Sequence, residues 1–167
     1  MDLFNFNDLF IFEFANNHQG DVEDGIRIIE VMGKIAEENK IRGAIKFQFR
    51  HLETFIHPDY KKSKEPKHIQ RFLSTELEND QFQIMIDKAK EKNLIPIGTA
   101  FDEISVDNML NLGVEVIKIA SCSAVDQPLI AKISKMGRPV IVSTAGLNIN
   151  QIDRIVSYFQ LKKIHFA

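Results

Sequence analysis

The sequence predicts an α/β fold of the (β/α)8 TIM-barrel kind, incomplete here, with about five β/α units and the start of a sixth strand. Three observations predict it. Short apolar runs rich in β-branched and aromatic residues recur along the chain, and longer stretches with helical periodicity separate them. The apolar runs also end in polar residues suited to chemistry, as strands do where they open onto the mouth of a barrel.

The first run, Leu9 to Phe14, is almost continuously apolar, as a strand covered on both faces must be. Gly20 and Asp21 suit a turn into the helix traced by Val22, Ile26, Ile29, Gly33 and Ala36. Gly43 to Gln48 is the second strand. After it, Phe49 to Glu76 is rich in charge, histidine and aromatic residues and is longer than an ordinary βα loop, which marks a functional excursion or a partly mobile segment. Phe82, Met85, Ile86 and Ala89 recur at helical spacing before the third strand, Leu94 to Thr99. The fourth is Val116 to Ala120 and the fifth Pro139 to Thr144. Asp126 ahead of Pro128 marks a helix start, and Asn148 with Gln151 has the spacing of a capping box. A sixth run opens at Ile164. No repeat, low-complexity tract or linker interrupts this rhythm, so residues 1–167 read as one unfinished domain, the N-terminal part of a barrel, with no second domain. A strand opening just before Ala167 predicts a fragment, because the barrel needs eight strands.

At 44% hydrophobic residues, the chain can bury one sizeable core. Lysine and arginine number 21 against 23 for aspartate and glutamate, and a net charge of −2 gives no general attraction for nucleic acid or an anionic membrane. An anion must therefore be bound locally. Cys122 is the single cysteine, which excludes an internal disulfide and fits a reducing compartment. The opening MDLFNFNDLF has acidic residues and no basic n-region, so no signal peptide or membrane span is expected and the localisation read is cytoplasmic.

The polar strand ends are Glu13, then Lys46 and Gln48, Thr99, Lys118 and Ser121, and Ser143 with Thr144. In a barrel they converge on one mouth. Two ammonium groups with hydroxyl donors suit a phosphate-bearing substrate; the alternative is that one lysine neutralises Glu13 inside the barrel. His51, His57 and His68 lack the tight spacing of a metal-ligand cluster and read as solvated loop residues, so no metal ligand is assigned. Cys122 reads as a small buried packing residue rather than a nucleophile.

Five blocks carry a resemblance: EFANNHQG at 13–20, IKFQ at 45–48, GTAFD at 98–102, KIASCS at 118–123 and VSTAG at 142–146. In order and spacing they resemble the sialic acid (N-acetylneuraminate) synthase family, over essentially the whole chain from Leu9 onward. The resemblance implies an enzyme that condenses phosphoenolpyruvate with the open-chain aldehyde of N-acetylmannosamine or a related acetamido sugar, giving a nine-carbon 2-keto sugar acid and phosphate. It implies a divalent metal, Mn2+ or Mg2+ or cobalt, with ligands beyond Ala167, and a homodimer that in bacterial relatives is closed by a C-terminal antifreeze-like domain. By the same resemblance Lys46, Thr99, Lys118, Ser121 and Ser143 hold phosphoenolpyruvate. Glu13 hydrogen-bonds the sugar or handles a proton or the attacking water, and joins Lys46 and Lys118 as a catalytic candidate. Gln48, Asn17 and His18 are the sugar-side candidates, with loop organisation as the alternative for Asn17 and His18.

The chain also departs from the family pattern. Ala100 stands where many relatives have proline, the family's sugar-binding asparagine of loop two has no counterpart, and Tyr60, Lys61 and Lys62 crowd a charged loop. A different acetamido sugar, or a substrate not yet assigned, is thereby implied. Two rival readings stay open: a 3-deoxy-ketoacid-phosphate synthase-like enzyme, which would need further cations for a second phosphate, and a catalytically inactive, anion-binding barrel fragment. The 167 residues alone are not expected to catalyse.

Overall fold

Five strands, β1 (Leu9–Ala15), β2 (Arg42–Phe49), β3 (Ile95–Ala100), β4 (Val116–Ile119) and β5 (Val140–Val142), pair in parallel and in chain order as one curled sheet. Parallel neighbours require crossovers, and helices supply them: α1 (Val22–Glu38), α2 (Leu52–Phe55), α3 (Lys67–Ser74), α4 (Asn79–Glu91), α5 (Glu103–Asn111), α6 (Gln127–Ile133) and α7 (Ile149–Leu161). The computed structural model describes residues 3–61 and 67–167. Consecutive strands lying side by side are the arrangement of part of a (β/α)8 barrel.

Local chemistry starts the helices where the sequence places them. Asp21 Oδ1 accepts from the Glu23 and Asp24 N–H groups at 2.7 and 3.0 Å, capping α1. Asp126 accepts from Leu129 N ahead of α6, with Pro128 in its first turn, and Asn148 and Gln151 form the reciprocal capping box of α7. The Gly20 backbone has φ +83°, and a Cβ there would meet Ser74 O at 2.7 Å, so only glycine fits this turn.

Strand alternation divides the core into two layers. Phe14, Ile45, Phe47, Phe49, Ile117 and Ile119 face the helices, where they pack with Ile29, Met85, Ile86 and Met109. Ala44, Ile97 and Val116 face the other way and form a smaller concave-side cluster with Leu9, Ile95 and Ile141. Phe47 is fully buried, and its truncation to alanine is expected to cost about 3–5 kcal/mol.

The ends of the first four strands move by at most a single residue from the sequence expectation, and the larger differences lie later in the chain. β5 stops at Val142, although Ser143 N still donates to Ile119 O at 3.0 Å. The run from Ile164 contributes a single parallel bridge, Phe166 to Val140, supported by backbone bonds from Val140 N to His165 O and from Ala167 N to Val140 O. The excursion after β2 contains α2, a 3-10 turn at Pro58–Tyr60 and α3; Lys62 of its charged loop lies outside the described residues. β1 also carries a bulge, since Glu13 pairs with Lys46 but Ala15, two residues on, pairs with Phe47. Among the described residues, no helix is long and apolar enough to cross a membrane.

Candidate active site

The concave apolar cluster predicts which side chains reach the mouth. Two residues beyond each floor residue, on the same face, stand Lys46 after Ala44, Thr99 after Ile97, Lys118 after Val116 and Ser143 after Ile141; Glu13 follows Leu9 by four. Strand register makes them neighbours, because Glu13 pairs with Lys46, Gln48 with Thr99, and Thr99 with Lys118. Five strand ends thus present one polar layer above an apolar floor.

Within that layer Lys46 Nζ lies 2.7 Å from Glu13 Oε1. Lys118 forms no ion pair among the described residues. Burial first, and the nearby Lys46 ammonium second, lower its pKa below the usual lysine range. The Thr99 hydroxyl is buried, with the residue 1% exposed, and among the described residues Oγ1 has no hydrogen-bond partner. An orphaned buried donor beside a desolvated cation that Glu13 offsets only from a distance is a costly arrangement that an anionic, oxygen-rich ligand would satisfy. Ser121 opens a 3-10 turn (Ser121–Ser123) directly after β4, and Ser143 directly follows β5, so both are placed at the same rim.

The loop after β1 behaves differently. Asn17 is exposed, with its N–H bonded to Phe14 O at 3.0 Å, while Asn16 Nδ2 donates to Thr75 Oγ1 at 2.6 Å and ties the loop to the end of α3. His18 is not brought to the mouth. It is 1% exposed, its ring stacks on Phe14 and meets Phe82 edge-on, and Nδ1 accepts from Gly20 N at 3.1 Å. Burial lowers its pKa to about 4, so it is a neutral loop-organising residue. Of its two readings, the geometry favours the structural one.

Cys122 differs from the expectation of a buried residue. The 3-10 turn buries Ser123 and leaves Cys122 exposed. His51, His57 and His68 form no cluster. Among the described residues, no group of three or more His, Cys, Asp or Glu side chains could hold a metal ion. These residues do not fit the divalent metal that the resemblance implies, and no chemical step is assigned to it.

Arg50 was missed by sequence reading. It closes the series Ala44, Lys46, Gln48 on the same strand parity, and that parity was the signal available. Nη2 donates to Gln48 Oε1 at 2.8 Å, and Phe101, Phe72 and Phe55 surround the guanidinium. Asp102 braces the rim nearby, accepting from His51 N at 2.8 Å while its other oxygen caps α5 through Ser105 N at 2.7 Å.

A curled parallel sheet with two lysines, a carboxylate and hydroxyls at the C-terminal ends of its strands defines part of an α/β barrel with a polar, lysine-bearing mouth. Comparison with known proteins narrows this class. The sequence model of the NeuB family matches residues 34–165, and the chain belongs to that family, a family of sialic acid-type synthases. An uncharacterized protein of Methanocaldococcus jannaschii is 33% identical over 90% of this chain and 41% of its own length. A Chromobacterium violaceum structure assigned to spore coat polysaccharide biosynthesis protein E is 39% identical, with a TM-score of 0.93 over 96% of this chain and 48% of that one. The N-acetylneuraminic acid (sialic acid) synthetase of Leptospira borgpetersenii, solved in complex with citrate, is 26% identical, with a TM-score of 0.80 over 95% of this chain and 52% of that one. The chain therefore spans about half the length of the proteins it resembles, or less.

Proposed function

We propose that the full-length protein condenses phosphoenolpyruvate with an N-acetylmannosamine-like acetamido sugar to give a nine-carbon 2-keto sugar acid and phosphate. The observation that carries this reading is the half-buried Lys118, which forms no ion pair among the described residues and stands in register with the Thr99 hydroxyl, itself without a hydrogen-bond partner among them. In this reading Lys118 and Lys46 bind the phosphate and carboxylate, and Thr99, Ser121 and Ser143 add directed hydroxyl donors. The enol carbon of phosphoenolpyruvate forms a bond to the aldehyde carbon of the sugar. Water then adds to the resulting cationic carbon, and the C–O bond to phosphate is cleaved from the tetrahedral adduct. The two ammonium groups stabilise the charge on the departing phosphate. Glu13, largely exposed at the mouth, accepts a sugar hydroxyl or the proton of the attacking water, while Gln48 and Asn17 lie on the sugar side. A divalent metal, manganese or magnesium, and a homodimer belong to the proposal for the whole enzyme, with the metal's ligands outside this chain.

The test is phosphate release by the full-length protein with phosphoenolpyruvate, a divalent metal salt and a panel of acetamido sugars, with product mass read by spectrometry. A sugar-dependent product carrying the three added carbons is expected. Absence of product with every sugar, from protein shown to be folded, would overturn the reading.

A further inference from the structure

Arg50 stands at the edge of the proposed site with an unusual set of neighbours. Its guanidinium carbon lies 4.0 Å from the Phe101 ring centre, 4.5 Å from that of Phe72 and 5.9 Å from that of Phe55. These rings come from the start of the β3–α5 connection and from α3 and α2, so the cation clamps the excursion onto the strand ends. Burial lowers its pKa to about 10, which still leaves it charged at neutral pH. Nε is buried and has no partner among the described residues, while Nη2 donates to Gln48 Oε1 at 2.8 Å.

A guanidinium can only donate. The Gln48 atom that faces it must therefore be the amide oxygen, and the amide NH2 must point the other way. A free glutamine could offer a ligand either end; this one is committed. We propose that Arg50 is a positioning residue that makes Gln48 a donor-only contact, so that the sugar side of the mouth recognises an oxygen acceptor, a hydroxyl or an acyl carbonyl, on the acceptor substrate. The inference rests on the proposed reaction and deepens it by assigning specificity to a residue outside the lysine layer. Lysine cannot replace this arginine, because a point ammonium neither presents a planar fork nor stacks in the same way among the three rings.

Steady-state kinetics of the full-length protein, with each substrate varied in turn, compare wild type with Arg50→Met and Arg50→Lys. KM for the sugar is expected to rise about tenfold or more in both variants, roughly the worth of one oriented hydrogen bond, while KM for phosphoenolpyruvate stays within about twofold. A merely structural role would not divide the two KM values in this way. An equal rise in both, or in neither, overturns this inference and leaves the proposed reaction standing. A wild-type protein that makes no product overturns the proposed reaction and this inference together. Should Arg50→Met fail to fold by circular dichroism, Arg50→Lys, which keeps the positive charge, decides by the same split.

Discussion

Lys46 Nζ and Glu13 Oε1 stand 2.7 Å apart with unequal access to water: the lysine side chain retains 8% exposure and the glutamate 60%. Water screens the glutamate end, so the pair adds little to stability. In the proposed reaction its value lies in holding a carboxylate over a buried ammonium at the barrel mouth, where the substrate would meet both.

Glu13→Gln therefore separates two readings of the pair. The amide can still accept from Lys46, so thermal unfolding is expected to shift by less than about 1 kcal/mol. Sugar-dependent phosphate release should fall by at least about a hundredfold. A large loss of stability with near-normal turnover would instead make Glu13 a structural neutraliser.

Lys46→Ala and Lys118→Ala should each lower phosphate release by orders of magnitude, because each removes a charge from a mouth that has few. Near-normal turnover in both would refute their assignment as anion ligands.

Lys118 also predicts a pH dependence. Its proton is lost at lower pH than an ordinary lysine's, and in the proposed site phosphoenolpyruvate binds the protonated form, so affinity should weaken as pH rises through that lowered value. Titration calorimetry from about pH 7 to about pH 10 reads this directly. Lys118→Arg, which keeps its charge across that range, should flatten the profile; an unchanged slope would assign the titration to another group.

Thr99→Val should separate stability from binding. The substitution removes an orphaned buried hydroxyl while nearly conserving shape, so stability should hold or rise by about 1 kcal/mol. Phosphoenolpyruvate affinity is expected to fall about tenfold, the counterpart of one lost hydrogen bond. Unchanged affinity by calorimetry would remove Thr99 from the site.

His18 predicts the acid limb of the stability curve. Its folded-state pKa of about 4 lies below the ordinary 6.5, so between those values the unfolded chain binds the extra proton. The stability due to neutral His18 is complete above pH 6.5 and is lost as pH falls towards 4, with a limiting slope of about 1.4 kcal/mol per pH unit. Denaturant melts of wild type and His18→Gln should differ in slope over that window. Parallel curves would show that the histidine carries no such linkage.

The strands were legible because fully covered β segments must be apolar throughout, and the caps at Asp126 and Asn148 because capping chemistry is local. Lys46, Thr99 and Lys118 could be aligned from alternation alone. The burial of His18 could not, since it depends on Phe14 and Phe82, one of them distant in the chain. Arg50 shared the parity of Lys46, but its three aromatic neighbours arrive from separate elements that no periodicity connects. The exposure of Cys122 followed from a 3-10 turn too short to leave a periodic trace.

The bulge in β1 behaves as a phase slip in a two-beat pattern. Up to Glu13 the beat sends alternate side chains into the mouth; after it, Ala15 falls into step with Phe47, whose side chain belongs to the wall. One extra residue thus marks where the strand stops facing the mouth and starts serving the architecture, and the chain that follows is free to bury His18 and anchor Asn16. At this point in the protein the count of residues matters beside their identity: deleting the extra residue would remove the slip and restore regular pairing, with Glu13 still opposite Lys46 and its new neighbour opposite Phe47, but without room for both Phe14 and Ala15.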